Sequence, residues 1–290
     1  MYRKLENWFT IFLILELLSL KSAAQEFQLE NTLSDILDKG YPPSYVHGYM
    51  QPFTTAMGIT VNGASFHTAK VSFFPKLEIG VNVVYISVPE DARYFMYDNE
   101  RKPTFFGPDS PDVTADVPGS GILRYTIPHL QVNLGMFSYF QASVRATRYK
   151  IPEMGEINLL GFGVKYGLSD LLLTDFMGLE FSVQAFYHAY GIGSWLSSGT
   201  FAINIQSSAR LPFAPVDIFS GLGYERVSLK VKTDRLSGIG NNAVGDILID
   251  GKNGVRFTLG IGLEILIFNL YAEYNLGFYN SAGGGISMRF

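Results

Sequence analysis

The residues that could do chemistry are few. There are four histidines (His47, His67, His129 and His188) and no cysteine. No two histidines stand at the spacing of a helical metal pair, and no HExxH motif occurs. Without cysteine, thiolate ligation, disulfides and an acylated lipoprotein anchor are all excluded. Ser182 and His188 share a strand face but are separated by about 20 Å along it, so they cannot form a nucleophile–base pair, and His188 reads as an inward-facing polar residue. Gly283, Gly284 and Gly285 have no following lysine and no helix to cradle a phosphate, so they read as close packing or strand bending. No catalytic, metal-ligating or cofactor-binding residue is assigned, and the chain is not expected to be an enzyme. An outer-membrane enzyme is the last of three alternatives that the sequence leaves open.

What remains is a set of charges confined to one face of alternating segments. Lys76, Glu78, Arg145, Lys165, Arg210, Asp217, Glu225, Arg256, Glu264 and Glu273, together with His188 and Arg289, fall on the polar side. The opposite side is apolar. Over 255–265, Val255, Phe257, Leu259, Ile261 and Leu263 oppose Arg256, Thr258, Gly260, Gly262 and Glu264. The same period of two runs through about ten segments: 76–88, 129–136, 138–149, 156–168, 178–190, 199–210, 215–231, 255–265, 268–278 and 283–290. Most are long enough to cross a bilayer at a tilt. Many alternating strands of that length predict an all-β fold, a transmembrane antiparallel β-barrel of about ten to twelve strands with polar residues facing the lumen. A soluble β-sandwich also alternates, and is the competing architecture. On this reading Leu259 faces lipid and a charge there is costly, whereas its neighbour Thr258 faces a polar lumen and tolerates one.

Composition agrees with the barrel. The 290 residues include 30 Gly, 23 Phe and 17 Tyr, and only 17% are charged. The net charge of −4, with no basic stripe, argues against nucleic acid as a partner. Arg3 and Lys4, the apolar run Trp8–Leu20, and the small residues Ser22 and Ala24 predict a signal peptide over 1–24, cleaved before Gln25. Leu29, Leu33, Ile36 and Leu37 predict a short helix within 26–40 that Gly40 ends. Pro42, Pro43, Pro52, Gly58 and Gly63 make 41–75 read as irregular, and lumen glycines such as Gly161, Gly221 and Gly260 leave room for it inside. The expected domains are the signal peptide (1–24), the helix and candidate plug (25–75) and the barrel (76–290). At the C-terminus, Ile286, Met288 and Phe290 alternate with Ser287 and Arg289. A terminal aromatic on an amphipathic last strand resembles the signal read by the barrel assembly machinery, the partner expected during biogenesis.

The passages GYMQPFTTAMGITVNGASFHTAK (48–70) and IPHLQVNLGMFSYFQASVRATRYKIPEMGEINLLGFGVKYGL (127–168), with Lys150, Pro152 and Gly161-Phe162-Gly163, resemble an uncharacterised domain-of-unknown-function family of outer-membrane barrels. The resemblance runs from about residue 30 to 290 and implies no catalytic residues. Its organisation is loosely similar to fatty-acid-transporter barrels, in which an N-terminal segment plugs the lumen. The expected location is the bacterial outer membrane, with its lipid as surroundings. The expected function is passive uptake or binding of a small apolar or amphipathic molecule, gated by the plug. Tyr94, Phe95, Tyr97, Phe105 and Phe106 are candidates for its entry surface. The alternative is a closed structural or adhesion-type barrel without a ligand.

Overall fold

A computed structural model describes residues 28–72, 74–109, 117–137, 139–151, 154–169, 178–237 and 245–290; the signal-peptide segment lies outside them. Among the described residues two helices come first, α1 (Leu29–Asp38) and α2 (Pro43–Asn62). Thirteen strands follow: β1 (Leu77–Ser87), β2 (Tyr94–Tyr97), β3 (Glu100–Pro103), β4 (Arg124–Gly135), β5 (Phe140–Ile151), β6 (Gly155–Gly167), β7 (Leu179–Ile192), β8 (Leu196–Arg210), β9 (Val216–Lys232), β10 (Asp246–Asp250), β11 (Gly254–Ile265), β12 (Phe268–Leu276) and β13 (Ser281–Arg289).

Eleven strands form one antiparallel sheet, and it closes on itself. The ring runs β1–β4–β5–β6–β7–β8–β9–β11–β12–β13 and returns to β1. β10 lies beside the far half of β9, at Ser228–Lys232, because β11 begins only opposite Glu225. The closing seam runs from Glu78↔Arg289 to Ile86↔Ser281. Beyond it the backbones of Leu77 and Phe290 exchange hydrogen bonds of 3.1 and 2.8 Å. Closure leaves no wall strand with an unpaired edge, the condition for exposing a sheet to lipid. β2 and β3 form a separate hairpin. The ten alternating segments seen in the sequence are the ten wall strands, with β4 beginning at Arg124 rather than near 129 and β8 at Leu196 rather than 199.

The two ends of the barrel differ. At the end where β1 starts and β13 finishes, connections such as 136–139, 211–215 and 266–267 are short; this is the turn end. The other end carries the two longest connections, 88–123 with the β2–β3 hairpin and 233–253 with β10; this is the loop end. Three loop-end connections, 152–154, 193–195 and 277–280, are also short, so length alternates less strictly than the barrel rule suggests.

The faces are inverted relative to a soluble protein. Val81, Leu130, Phe162, Val164, Ile203, Leu222, Leu259 and Ile261 are exposed on the outside, while Asn82, Gln131, Arg145, Gln184, Asn204, Thr258 and Asn275 are buried inside. A continuous exposed apolar wall around a polar interior is the pattern of a membrane barrel. The inner face is polar only in its turn-end part, however. Toward the loop end Ile86, Ile127, Ile157, Leu159, Tyr190, Leu229, Val231 and Ile249 point inward and belong to one buried apolar cluster.

The lumen is therefore packed rather than open, which changes the expectation for Thr258. It is 1% exposed and its hydroxyl donates to Asn275 Oδ1 at 2.6 Å, leaving no space for an arginine. Leu259→Arg should cost about 2–4 kcal/mol from placing a charge against lipid near the midplane. Thr258→Arg should be at least as damaging, through overpacking and an unpaired buried charge. Equilibrium unfolding of both variants in the same lipid or detergent checks this; a clearly milder Thr258→Arg would mean an unfilled lumen.

Candidate functional site

The interior of the barrel is occupied by the protein's own N-terminal chain. The stretch 41–75, expected to be irregular, is instead mostly the helix α2. Pro43 sits at its first position, where a missing N–H costs nothing. Pro52 is accommodated within the helix. Thr54, Thr55 and Thr60 turn their hydroxyls back onto the carbonyls of Met50, Gln51 and Ala56 at 2.8–3.0 Å. Tyr45, Val46, Tyr49, Met50, Phe53, Met57 and Val61 are all fully buried or nearly so. A helix surrounded by barrel wall has no polar face, so the period of 3.6 that would betray it is missing. Its glycines mark close approach: a β-carbon on Gly58 would fall 2.7 Å from Val227, and one on Gly48 would enter the Phe95 ring.

The first turns of α2 lie at the loop end. Tyr45 packs edge-on against Phe95 and Tyr97 at 5.1 and 4.9 Å. Phe53 meets Phe105 at 4.8 Å, and the Tyr49 hydroxyl donates to Pro118 O at 3.0 Å. α1 lies against the other long connection, where the Ser34 hydroxyl donates to Ser237 O at 2.7 Å. Two of the aromatics proposed as an entry surface, Phe105 and Phe106, are 0% exposed. With Phe95 and Tyr97 they cap the helix and offer no apolar mouth.

The last turn of α2 ends in mid-lumen, where its carbonyls meet donors from the wall. Ile59 O is taken by the helix's own cap residue, Gly63 N, at 2.9 Å, and Thr60 O accepts from His129 Nε2 at 3.2 Å. Val61 O accepts from Arg145 at 2.8 Å and Asn62 O from Arg256 at 3.4 Å. Arg145 also donates to Gly63 O (2.8 Å), Ala64 O (2.7 Å) and Gln131 Oε1 (3.0 and 2.6 Å). It is 0% exposed and forms no salt bridge among the described residues. Its charge faces the negative end of the helix dipole instead.

From Gly63 the chain continues toward the turn end, held by strands from around the ring. Ala64 N donates to Glu273 Oε1 at 2.8 Å, and Gln131 Nε2 donates to Ser65 O at 3.2 Å. Phe66 packs on Phe219 at 5.8 Å. His67 lies 3.4 Å from Glu78 and stacks on Tyr271 at 5.0 Å. Lys165 Nζ donates to Thr68 O at 2.9 Å, and Ala69 N to Ser208 Oγ at 3.0 Å.

The inward charges expected from the sequence thus separate into three groups. Arg145, Lys165 and Glu273 hold the plug. Arg256 contacts Glu225 as well as Asn62. Glu78, Asp217, Arg210, Glu264 and Arg289 form a network at the turn-end mouth, with Arg210–Glu264 at 2.8 Å and Arg289 at 3.4 Å from both Glu78 and Glu264. Arg210 is exposed at this rim, and Lys76 precedes β1 and is exposed rather than lining the lumen. His188 is 0% exposed, stacked at 5.0 Å on Phe186, with no hydrogen-bond partner among the described residues on either ring nitrogen. His129, Gln131, Asn62 and Asn204 were not singled out as plug contacts. Their signal was present, as polar residues on the inward parity, but only the position of α2 gives it meaning.

Fold and faces together define a β-barrel protein of the outer-membrane type. The chain belongs to the family of unknown function DUF6588, whose model matches residues 3–290. No curated protein matches the sequence. Among solved structures it is similar to the translocator domain of the autotransporter NalP from Neisseria meningitidis (8% identity, 85% of this chain and 96% of that one, TM-score 0.34). It is also similar to the N-terminal β-barrel domain of Pseudomonas aeruginosa OprF (9% identity, 74% and 97%, TM-score 0.25). A third likeness is to OmpT, an outer membrane protein of Vibrio cholerae (12% identity, 57% of this chain, TM-score 0.29), of which the match spans only 55%.

Arg145 should be the most sensitive position inside the barrel. Arg145→Met leaves the carbonyls of Val61 and Gly63 without their donor, and Ala64 O with the Tyr271 hydroxyl alone at 3.2 Å; buried unmet acceptors cost about 1–3 kcal/mol each. The expected loss is more than about 3 kcal/mol, read as a lower thermal midpoint in detergent and faster proteolysis within 41–75. Unchanged stability would mean that the plug does not depend on this side chain.

Proposed function

We propose that the protein is a closed barrel that acts through the cap at its loop end, in the structural or adhesion-type sense, rather than through a pore. The supporting observation is the helix in the lumen. Eight large side chains of α2 (Tyr45, Val46, Tyr49, Met50, Phe53, Met57, Ile59, Val61) are buried. At about 1.5–3 kcal/mol each, withdrawing them costs on the order of 10 kcal/mol or more, comparable to the whole net stability of an ordinary domain. Arg145 and Arg256 would also lose their carbonyl partners. α2 thus behaves as core and not as a gate in thermal exchange.

Short turns are periplasmic and long loops extracellular in such barrels. On that rule α1, the β2–β3 hairpin and the 233–253 connection face the outside. The absence of cysteine makes this directly measurable. Lys39→Cys should react with a membrane-impermeant maleimide on intact cells, and Lys76→Cys only after the outer membrane is permeabilised. The reverse pattern would overturn the orientation. Removal of residues 1–24 belongs to the same proposal; Met1 retained on protein from purified outer membranes would overturn it.

The second reading is passive uptake of a small apolar or amphipathic molecule, by loose analogy with fatty-acid-transporter barrels. It rests on the position of the N-terminal segment inside the lumen and requires that segment to move. Planar-bilayer recording separates the two. The closed reading expects almost no conductance from the full chain, and expects deletion of 43–71 to cost the barrel its stability. Steady conductance of the full chain, or a stable conducting deletion, would instead support a removable plug.

A further inference from the structure

We propose that the outer wall of β4, β5 and β6 binds the phosphorylated headgroup of an outer-leaflet glycolipid through Arg124, Arg148 and Lys150. The proposal rests on the orientation given above. Along β5 Val144 is outward and exposed, Arg145 and Thr147 are inward and buried, and Arg148 and Lys150 are exposed on the outward parity; Tyr149 between them is exposed as well, and Ile151 is buried again. On the neighbouring strand Arg148 stands opposite Asn158 and Lys150 opposite Glu156. On the other side the β4–β5 pairing ends at Leu130↔Ala146, and the Thr147 hydroxyl donates to Pro128 O at 2.9 Å just beyond it, so the two strands stay adjacent there and the levels that follow extend the paired register. Arg148 is then level with Pro128, Lys150 with Thr126, and Arg124 is one outward step beyond. Arg124 and Lys150 are then diagonal neighbours about 7–8 Å apart, and Arg148 lies two residues from Lys150 along β5, about 7 Å away, a row that a bisphosphorylated headgroup can span.

The height is right for a headgroup. A rise of about 3.4 Å per residue and a tilt of about 40° put Arg148 about 20 Å above Phe140, against an apolar band about 25 Å tall. Directly below Arg148 the outward residues of β5 are small at Ala146 and Ala142. These are flanked by Leu130 and Leu160, and by Leu134 and Val164, on the adjoining strands. The cations therefore sit at the top of a shallow apolar trough. A ligand that fits both parts carries negative charge at one end and acyl chains at the other, which a soluble anion does not.

Charge balance singles out this part of the wall. The three strands carry one carboxylate, Glu156. It accepts from Arg148 Nε at 3.0 Å and Asn158 Nδ2 at 3.1 Å, an arrangement that orients the guanidinium and leaves its other N–H groups facing out. Among the described residues Arg124 and Lys150 form no ion pair. On the wall at β9 and β10, by contrast, Lys230 is paired with Asp246 at 3.1 Å, and Asp250 is also exposed. Guanidinium groups bind phosphate oxygens in pairs, and two of the three cations are arginines.

The test uses the full chain in phosphatidylcholine nanodiscs, with bisphosphorylated lipid A as probe and native mass spectrometry or titration as readout. The combined variant Arg124→Gln, Arg148→Gln, Lys150→Gln should bind at least tenfold more weakly, and Arg226→Gln on the β9 wall should bind normally. Glu156→Gln should bind severalfold more tightly. Dephosphorylated lipid A should bind the unmodified protein as weakly as the intact lipid binds the combined variant. Unchanged binding by the combined variant would overturn the proposal, as would an equal loss in Arg226→Gln or full competition by millimolar inorganic phosphate. A thermal midpoint within a few degrees of the unmodified protein confirms that each variant is folded. Nanodisc binding is independent of how the barrel faces in the cell, so failure of the orientation shows in the cysteine labelling alone.

Discussion

A helix that ends inside a membrane barrel has carbonyls that water cannot solvate freely, and this constraint organises the interior. The carbonyls in the last turn of α2 need donors, and the wall supplies them from His129 on β4, Arg145 on β5 and Arg256 on β11. Arg145 is the centre of the arrangement because a guanidinium can serve several carbonyls at once. It reaches Val61, Gly63 and Ala64 while Gln131 takes its remaining reach. A buried cation without a carboxylate is normally costly. Here the helix terminus supplies the compensating negative potential, so plug and wall stabilise each other.

From that junction the barrel divides into two interiors. Toward the loop end α2 presents apolar side chains in every direction, and the wall answers with Ile127, Leu159, Tyr190 and Leu229. Toward the turn end the chain is no longer helical, its N–H and C=O groups need partners, and the wall answers with Glu273, Ser208 and Lys165. The inner face is polar where the enclosed backbone is irregular and apolar where that backbone satisfies itself.

This explains what the sequence does and does not disclose. The ten wall strands are legible because one face of each meets lipid, which imposes a period of two whatever the other face does. The inward parity of Glu78, Arg145, Lys165, Glu225, Arg256 and Glu273 follows from the same alternation. The fault lay with 41–75. Pro43, Pro52, Gly48 and Gly58 look like helix breakers in isolation, and with no solvent-facing side there is no amphipathic pattern to outweigh them. The lumen glycines leave space for the occupant in part: a β-carbon at Gly221 would fall 2.5 Å from Phe66. Pairing partners are not legible in the sequence: that Glu78 meets Arg289 across the closing seam follows only from the folded ring.

The direction in which the chain threads the barrel limits how the plug can work. The helix is tied at the loop end through Tyr45, Tyr49 and Phe53, and through α1 against Ser237. At the turn end the chain passes directly into β1, which is locked between β13 and β4. The plug therefore has no loose end at the turn end that a partner on that side could pull. Movement would have to begin at the loop end, by parting the aromatic contacts of Phe95, Tyr97 and Phe105 with α2. It would then have to break the carbonyl contacts of Arg145 before any passage opened. A change at the exposed tip of the β2–β3 hairpin, Asp98–Glu100, can occur without either step, because Phe95 and Tyr97 can stay against α2. The parts able to change or to meet a partner at low cost are thus the ones outside the barrel, and the wall and its helix form the rigid base that carries them.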